Sequence, residues 1–190
     1  DSDGSICDAA RTDIHACFDR DPACDNHFMP ILYFKGFQAV QLYRVSHWLW
    51  LQGRNHLALY LQSQISEVFA VDIHPGAKIG SGIMIDHATG LVIGETAIVG
   101  DDVSILHSVT LGGSGCIKGS RHPTIGNGVM ISAGAKILGN VVVGDGVKIG
   151  AGSLVLESVP AHVTVAGVPA KIVGAPREAA PALEMDQYLR

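Results

Sequence analysis

Apolar positions divide the chain into two regimes. Over 5–18, Ile6, Ala9, Ala10, Ile14, Cys17 and Phe18 recur at the spacing of one helix face. Asp21-Pro22 closes that pattern, because proline disfavours helical geometry in the residue before it. A second helical pattern runs from about Pro30, at a first-turn position, to Leu51, with Gly53 as a stop signal. A third covers about 55–69. Trp48 and Trp50 fall in the second and read as packing residues. At Ile73 the period changes to six. Ile73, Ile79, Ile85, Leu91, Ala97, Val103 and Val109, then Ile125, Ile131, Ile137, Val143, Ile149 and Val155, are all aliphatic. Three residues after these positions glycine stands nine times, as at Gly76, Gly82 and Gly94. A six-residue period is neither helical nor simply alternating; it is the signature of a hexapeptide β-helix.

Each hexapeptide supplies a short strand, whose aliphatic residue fills a narrow interior, and a corner that glycine relieves. Three hexapeptides make an 18-residue coil, and coils stack about 4.8 Å apart. Spacing does not set the handedness. From Val109 to Ile125 is 16 residues, two repeats plus four extra. The surplus predicts a protruding loop over 115–124, carrying Lys118, Arg121 and His122. The organisation expected is a helical region over 1–70, a β-helix over 71–174 and a tail over 175–190.

Composition narrows the function. Hydrophobic residues are 47% and charged residues 16% of 190, which excludes a disordered chain. Of the 23 glycines, 20 follow residue 73. The net charge is −5, without a basic run, so nucleic acid is not an expected partner. No apolar stretch approaches the roughly 18 residues of a membrane helix, and the acidic start Asp1-Ser2-Asp3-Gly4 is no signal peptide. The four cysteines, Cys7, Cys17, Cys24 and Cys116, form no CxxC pair, so a cytoplasmic protein is expected.

Several repeats carry residues a purely structural coil does not need. Asp86 and His87 occupy the slot from Ile85; Asp72 and His74 flank Ile73; Glu95 takes a usually small position; His107 falls in the slot from Val103. A single such histidine reads as a surface or satisfied side chain, but Asp72, Asp86, His87, Glu95, Arg121 and His122 together form a set of carboxylates, imidazoles and a guanidinium that points to a functional site. Asp72 and His87, 15 residues apart, lie three positions off register on an 18-residue coil.

These runs resemble the serine acetyltransferase family. The likeness rests on Val71-Asp72-Ile73-His74-Pro75-Gly76, Asp86-His87-Ala88-Thr89-Gly90, Gly94-Glu95-Thr96-Ala97, Ser108 to Gly113, Arg121-His122-Pro123 and the closing 166–174 run, and covers about 10–175. It implies a left-handed parallel β-helix of hexapeptide repeats preceded by a small α-helical region. It also implies acetyl transfer from acetyl-CoA to the hydroxyl of L-serine, giving O-acetyl-L-serine and CoA, the first step toward cysteine, with no metal. By the same resemblance His87 is the general base, Asp72 orients it, and His122 is the second imidazole. Arg121 takes the serine carboxylate, Asp21 and Asp86 the ammonium, with Glu95 a further substrate residue. Gly113, Ala133 and Ala151 are the small positions along which CoA lies, and a backbone N–H near Gly112-Gly113 meets the oxyanion. The family implies feedback inhibition by L-cysteine and a homotrimer with shared sites, or a hexamer made from two trimers through longer N-terminal helices. Its members dock O-acetylserine sulfhydrylase through a C-terminal Ile; this chain, ending Asp186 to Arg190, lacks that Ile, so the complex is not expected. Three other readings stand beside this one. An acetyltransferase for a sugar or other hydroxyl acceptor would not need both Arg121 and the carboxylates. A γ-type carbonic anhydrase needs a His-x4-His pair, and no two of the nine histidines are five apart. A scaffold without catalysis would not need the polar set at all.

Overall fold

A computed structural model describes residues 4–115 and 119–188. The readings on Asp1-Ser2-Asp3, Cys116, Lys118 and the final Leu189-Arg190 fall outside the described residues.

The helical region has four helices. α1 (Ser5–Arg20) ends where Asp21 turns extended, as Asp21-Pro22 predicts. The single helix expected from Pro30 to Leu51 is instead two, α2 (Phe28–Tyr33) and α3 (Lys35–Leu51). Phe34 between them has φ −89° and ψ 99°, outside helical geometry. Pro30 is the third residue of α2, where its missing N–H interrupts nothing, because the first turn has no intrahelical acceptors. α4 (Asn55–Phe69) matches its predicted bounds and stops at Ala70, which adopts φ 55°.

One buried ionic node ties the helices to the β region. Asp13 is 0% exposed; its Oδ2 accepts from Arg44 Nη2 at 2.7 Å and Gln41 Nε2 at 2.9 Å. Its Oδ1 accepts the Ile83 backbone N–H at 2.9 Å. A carboxylate this deep persists only when so fully satisfied.

The remainder is a parallel β-solenoid of three faces. The first holds β1 (Val71–Ile73), β4 (Leu91–Ile93), β7 (Thr110–Gly112), β10 (Lys136–Leu138) and β13 (Leu154–Val155). The second holds β2 (Lys78–Ile79), β5 (Ile98–Val99), β8 (Thr124–Ile125) and β11 (Val142–Val143). The third holds β3 (Met84–Ile85), β6 (Ser104–Ile105), β9 (Met130–Ile131), β12 (Lys148–Ile149) and β14 (Thr164–Gly167). Antiparallel β15 (Ala170–Gly174) closes it, and α5 (Pro181–Glu184) returns the tail against α1 and β9.

Each rung buries two side chains, not one. Val71 and Ile73, Leu91 and Ile93, Val109 and Leu111, and Ala135 and Ile137 all point inward. The six-residue series therefore crosses between two inward columns without meeting a polar residue. Ile73, Ile79 and Ile85 belong to the second column, while Leu91, Ala97, Val103 and Val109 belong to the first. The slip corrects the 18-residue coil at one place. Val71 lies beside Leu91, twenty residues on, whereas Thr124 lies beside Val142, eighteen on. The two extra residues sit in the corner between β3 and β4, where His87 and Ala88 take φ 57° and 60°. Asp72 accordingly pairs with Val92, and the register expected between Asp72 and His87 is not kept. The loop is also larger than the four extra residues expected. Ile98 pairs with Thr124, twenty-six on, so eight residues beyond a regular coil are extruded.

Candidate active site

Most of the candidate residues lie at two of the solenoid's corners. At the first, where the third face turns into the first, backbone bonds stack the coils in a column. Gly90 N–H donates to Ala70 O at 2.8 Å, Ser108 to Thr89 O at 2.8 Å, Gly134 to His107 O at 2.9 Å and Gly152 to Ala133 O at 2.8 Å. His87, His107, Ala133 and Ala151 thus climb one edge. The His87 ring lies edge-on to His107 at 5.8 Å between centroids, and its Nε2 is 3.6 Å from Asp86 Oδ2.

Beside this column the helices wall a cavity of about 400 Å³, lined by Asp21, Phe34, Lys35, Asp86 and His87. α3 comes this close because Gly36 lacks a side chain: a Cβ there would stand 2.0 Å from Ile85 O. Lys35 Nζ donates to Thr89 Oγ1 and braces the corner. Cys17 also lines the cavity, but burial, with Asp13 next, pushes its thiol up to about 12. It therefore stays protonated near neutrality and is no nucleophile.

At the second corner, where the first face turns into the second, Arg121 Nη2 donates to Glu95 Oε2 at 2.6 Å. That bond to Arg121 holds the Glu95 carboxyl below its ordinary range. His122 is 8% exposed, and a Cβ on Gly94 would stand 2.0 Å from its Nε2. Thr96 supports the pair: its Oγ1 accepts the backbone N–H groups of Arg121 and His122 at 3.1 and 3.2 Å. Desolvation, then Arg121, lowers the pKa of His122; desolvation also lowers that of His74, against the pull of Glu95 and Asp72. Gly113 borders this corner, its Cβ position 3.3 Å from Arg121 O.

The structure thus brings Asp21, Asp86, His87, Ala133 and Ala151 to the first corner, and Glu95, Gly113, Arg121 and His122 to the second. Asp72 lies on the face between them, where its Oδ1 accepts from Gln62 Nε2 at 2.7 Å. Sequence reasoning gave no role to Thr96, Lys35 or His107. The signal for His107 was present: it follows His87 by twenty residues, the length of the first coil. Among the described residues no cluster of three or more His, Cys, Asp or Glu could hold a metal ion.

Small residues continue the column at the first corner. Ala133 and Ala151 sit on successive coils beside Gly134 and Gly152, and a Cβ on Gly152 would meet nothing within 4 Å.

A three-faced parallel solenoid of hexapeptide coils with an exposed imidazole at one corner is the architecture of the hexapeptide-repeat transferases. In agreement, the family model described as "Bacterial transferase hexapeptide (six repeats)" matches residues 122–157, and "Serine acetyltransferase, N-terminal" matches residues 1–42. The serine acetyltransferase of Salmonella typhimurium is 60% identical over 187 residues, covering 98% of this chain and 68% of that protein. The serine acetyltransferase structure from Vibrio cholerae superposes with a TM-score of 0.98 at 62% identity, covering 99% of this chain and 73% of that one. A serine acetyltransferase complex with cysteine gives 0.97 at 58% identity, covering 100% and 74%. Complexes of such enzymes with serine, from Neisseria gonorrhoeae, and with coenzyme A, from Brucella abortus, each give 0.89 at 56% and 58% identity, covering 91% and 92% of this chain and 71% and 70% of theirs. The chain belongs to the serine acetyltransferase family.

Proposed function

We propose that the chain transfers the acetyl group of acetyl-CoA to the hydroxyl of L-serine, releasing CoA and O-acetyl-L-serine. The observation that carries this reading is the charge complement of the two corners. Serine is a zwitterion. Asp21 and Asp86 beside His87 suit its ammonium, and Arg121 suits its carboxylate through a bidentate fork. Bound acetyl-CoA supplies the thioester carbonyl that the hydroxyl attacks.

His87 accepts the hydroxyl proton during the attack, because an alcohol is a poor nucleophile while protonated. Asp72 orients the ring and stabilises the imidazolium. Glu95 neutralises Arg121 until the serine carboxylate replaces it. Backbone N–H near Gly113 meets the charge developing on the carbonyl oxygen. Gly113, Ala133 and Ala151 line the CoA path.

Neither corner is a complete site, and one face of the solenoid separates them. A closed trimer that sets the first corner of one copy against the second corner of the next completes three sites. Val92, Ile98 and Val142 stand exposed on the two faces such packing would cover. L-Cysteine, with the same carboxylate and ammonium and a thiol for the hydroxyl, is the expected inhibitor, consistent with the related complex with cysteine. The free thiols of Cys17 and Cys24 suit a cytoplasmic enzyme.

The test is thiol release from acetyl-CoA with and without L-serine. Release that requires serine supports the reading. Release only with a sugar or another hydroxyl acceptor overturns it.

A further inference from the structure

The two imidazoles of the proposed site are not equivalent. His122 Nδ1 lies 3.2 Å from the backbone N of Thr96 and 2.9 Å from its Oγ1. A backbone N–H can only donate, so Nδ1 must present its lone pair. The Thr96 oxygen already accepts two N–H groups, from Arg121 and His122, which turns its own proton toward Nδ1. Two donors converge on one ring nitrogen, and the proton of the neutral ring is left on Nε2. Nε2 has no hydrogen-bond partner among the described residues. It lies over Gly94 and faces Gly113, at 3.4 Å from the Cβ position of the latter.

We propose that Thr96 is a positioning residue that holds His122 as its Nε2–H tautomer, so that His122 enters acetyl transfer as a hydrogen-bond donor to the oxygen that gains negative charge, and not as a proton acceptor. The inference rests on the acetyl-transfer reading for the identity of that oxygen. The tautomer itself does not depend on it.

Protonating His122 would set an N–H at Nδ1 against the N–H of Thr96, a clash of donors inside a residue that is 8% exposed. The groups facing the ring add to this. Arg121 and His74 oppose a positive charge; Glu95 favours one, but is engaged by Arg121 at 2.6 Å. A neutral ring whose free nitrogen carries the proton cannot take a second one cheaply. It can donate, beside the Gly113 backbone already assigned to the same oxygen. The base is then His87, whose ring no donor pair constrains.

The experiment reads the tautomer without substrate. In the full chain labelled with ¹⁵N-histidine, two-bond ¹H–¹⁵N correlations of His122, assigned by its loss in His122→Gln, should show the Nε2–H form. Thr96→Ser should keep it, and Thr96→Val, which removes the hydroxyl donor but leaves the backbone N–H on Nδ1, should keep it as the main form with the ring less fixed, read as a broadened correlation. An Nδ1–H form in the unsubstituted protein overturns the proposal whatever the activity. In turnover, His122→Gln, whose amide reaches the Nε2 position, should keep more kcat than His122→Asn, which should lose about 10²-fold or more. Equal kcat in the two variants, or an effect confined to KM for serine, overturns the donor role. Absence of acetyl transfer in the unsubstituted enzyme would instead sink the proposed function and leave the tautomer standing.

Discussion

At the level of single side chains, solvent separates the two imidazoles: the His87 side chain is 73% exposed in the single chain, while His122 is buried. An imidazole open to solvent and substrate is placed to take up a proton during the reaction. Replacing His87 with Ala should lower kcat about 10²–10⁴-fold while the circular dichroism spectrum and unfolding midpoint stay unchanged. Arg121→Ala should weaken L-serine and L-cysteine together, read as parallel rises in KM and inhibition constant; a change in only one would separate their sites. The lowered pKa values of His122 and His74 carry a stability consequence. A base whose folded pKa lies below its unfolded value binds fewer protons when folded, so its contribution is full above about pH 6.5 and is lost as pH falls through the folded value. Glu95 acts in the same direction further toward acid. The thermal midpoint should therefore fall as pH drops from about 7 to 5, and a His74→Gln/His122→Gln chain should show a shallower fall.

At the scale of elements, the His87 corner exists because regularity is broken twice. Two extra residues push His87 out of the coil, and the missing side chain of Gly36 lets α3 close over it. Alanine favours helix over glycine by about 1 kcal/mol, which alone would make Gly36→Ala stabilising. A Cβ 2.0 Å from a backbone oxygen outweighs that, because neither α3 nor β3 is a flexible side-chain end. Such overpacking costs about 1–3 kcal/mol. Gly36→Ala should thus lower the unfolding midpoint and also raise KM for serine, because Ile85 precedes Asp86. A midpoint equal to or above that of the unsubstituted chain would show that α3 can move aside freely.

At the scale of the whole molecule, the proposed chemistry spans a face that a single solenoid keeps between its halves. Light scattering should give about three times the 19.9 kDa chain mass. Chains carrying His87→Ala and chains carrying Arg121→Ala/His122→Ala, each nearly inactive alone, should regain activity when unfolded together and refolded. Sites built from two copies then include some with both intact corners. A fully active monomer, or no recovery on mixing, would sink the shared-site geometry.

Much of this molecule was legible in the chain itself. A six-residue aliphatic period with glycine at the corners leaves few folds open, because only a stacked solenoid buries every sixth residue. The helix at 55–69 and the stop at Asp21 followed from apolar spacing and proline chemistry. The polar set was legible too, since Asp86 and His87 interrupt an aliphatic slot. The coil phase was not. Two inward columns per rung are both aliphatic, so a slip of two residues at His87 left no mark on the period. The break at Phe34 was also hidden, because it lies inside a continuous apolar run and shows only in its backbone angles. Nor could spacing pair Thr96 with His122, 26 residues apart across an extruded loop. Hydrophobic period reports which side of the chain faces inward. Which polar groups meet at a corner depends on how coils of unequal length stack, and that only the tertiary structure decided.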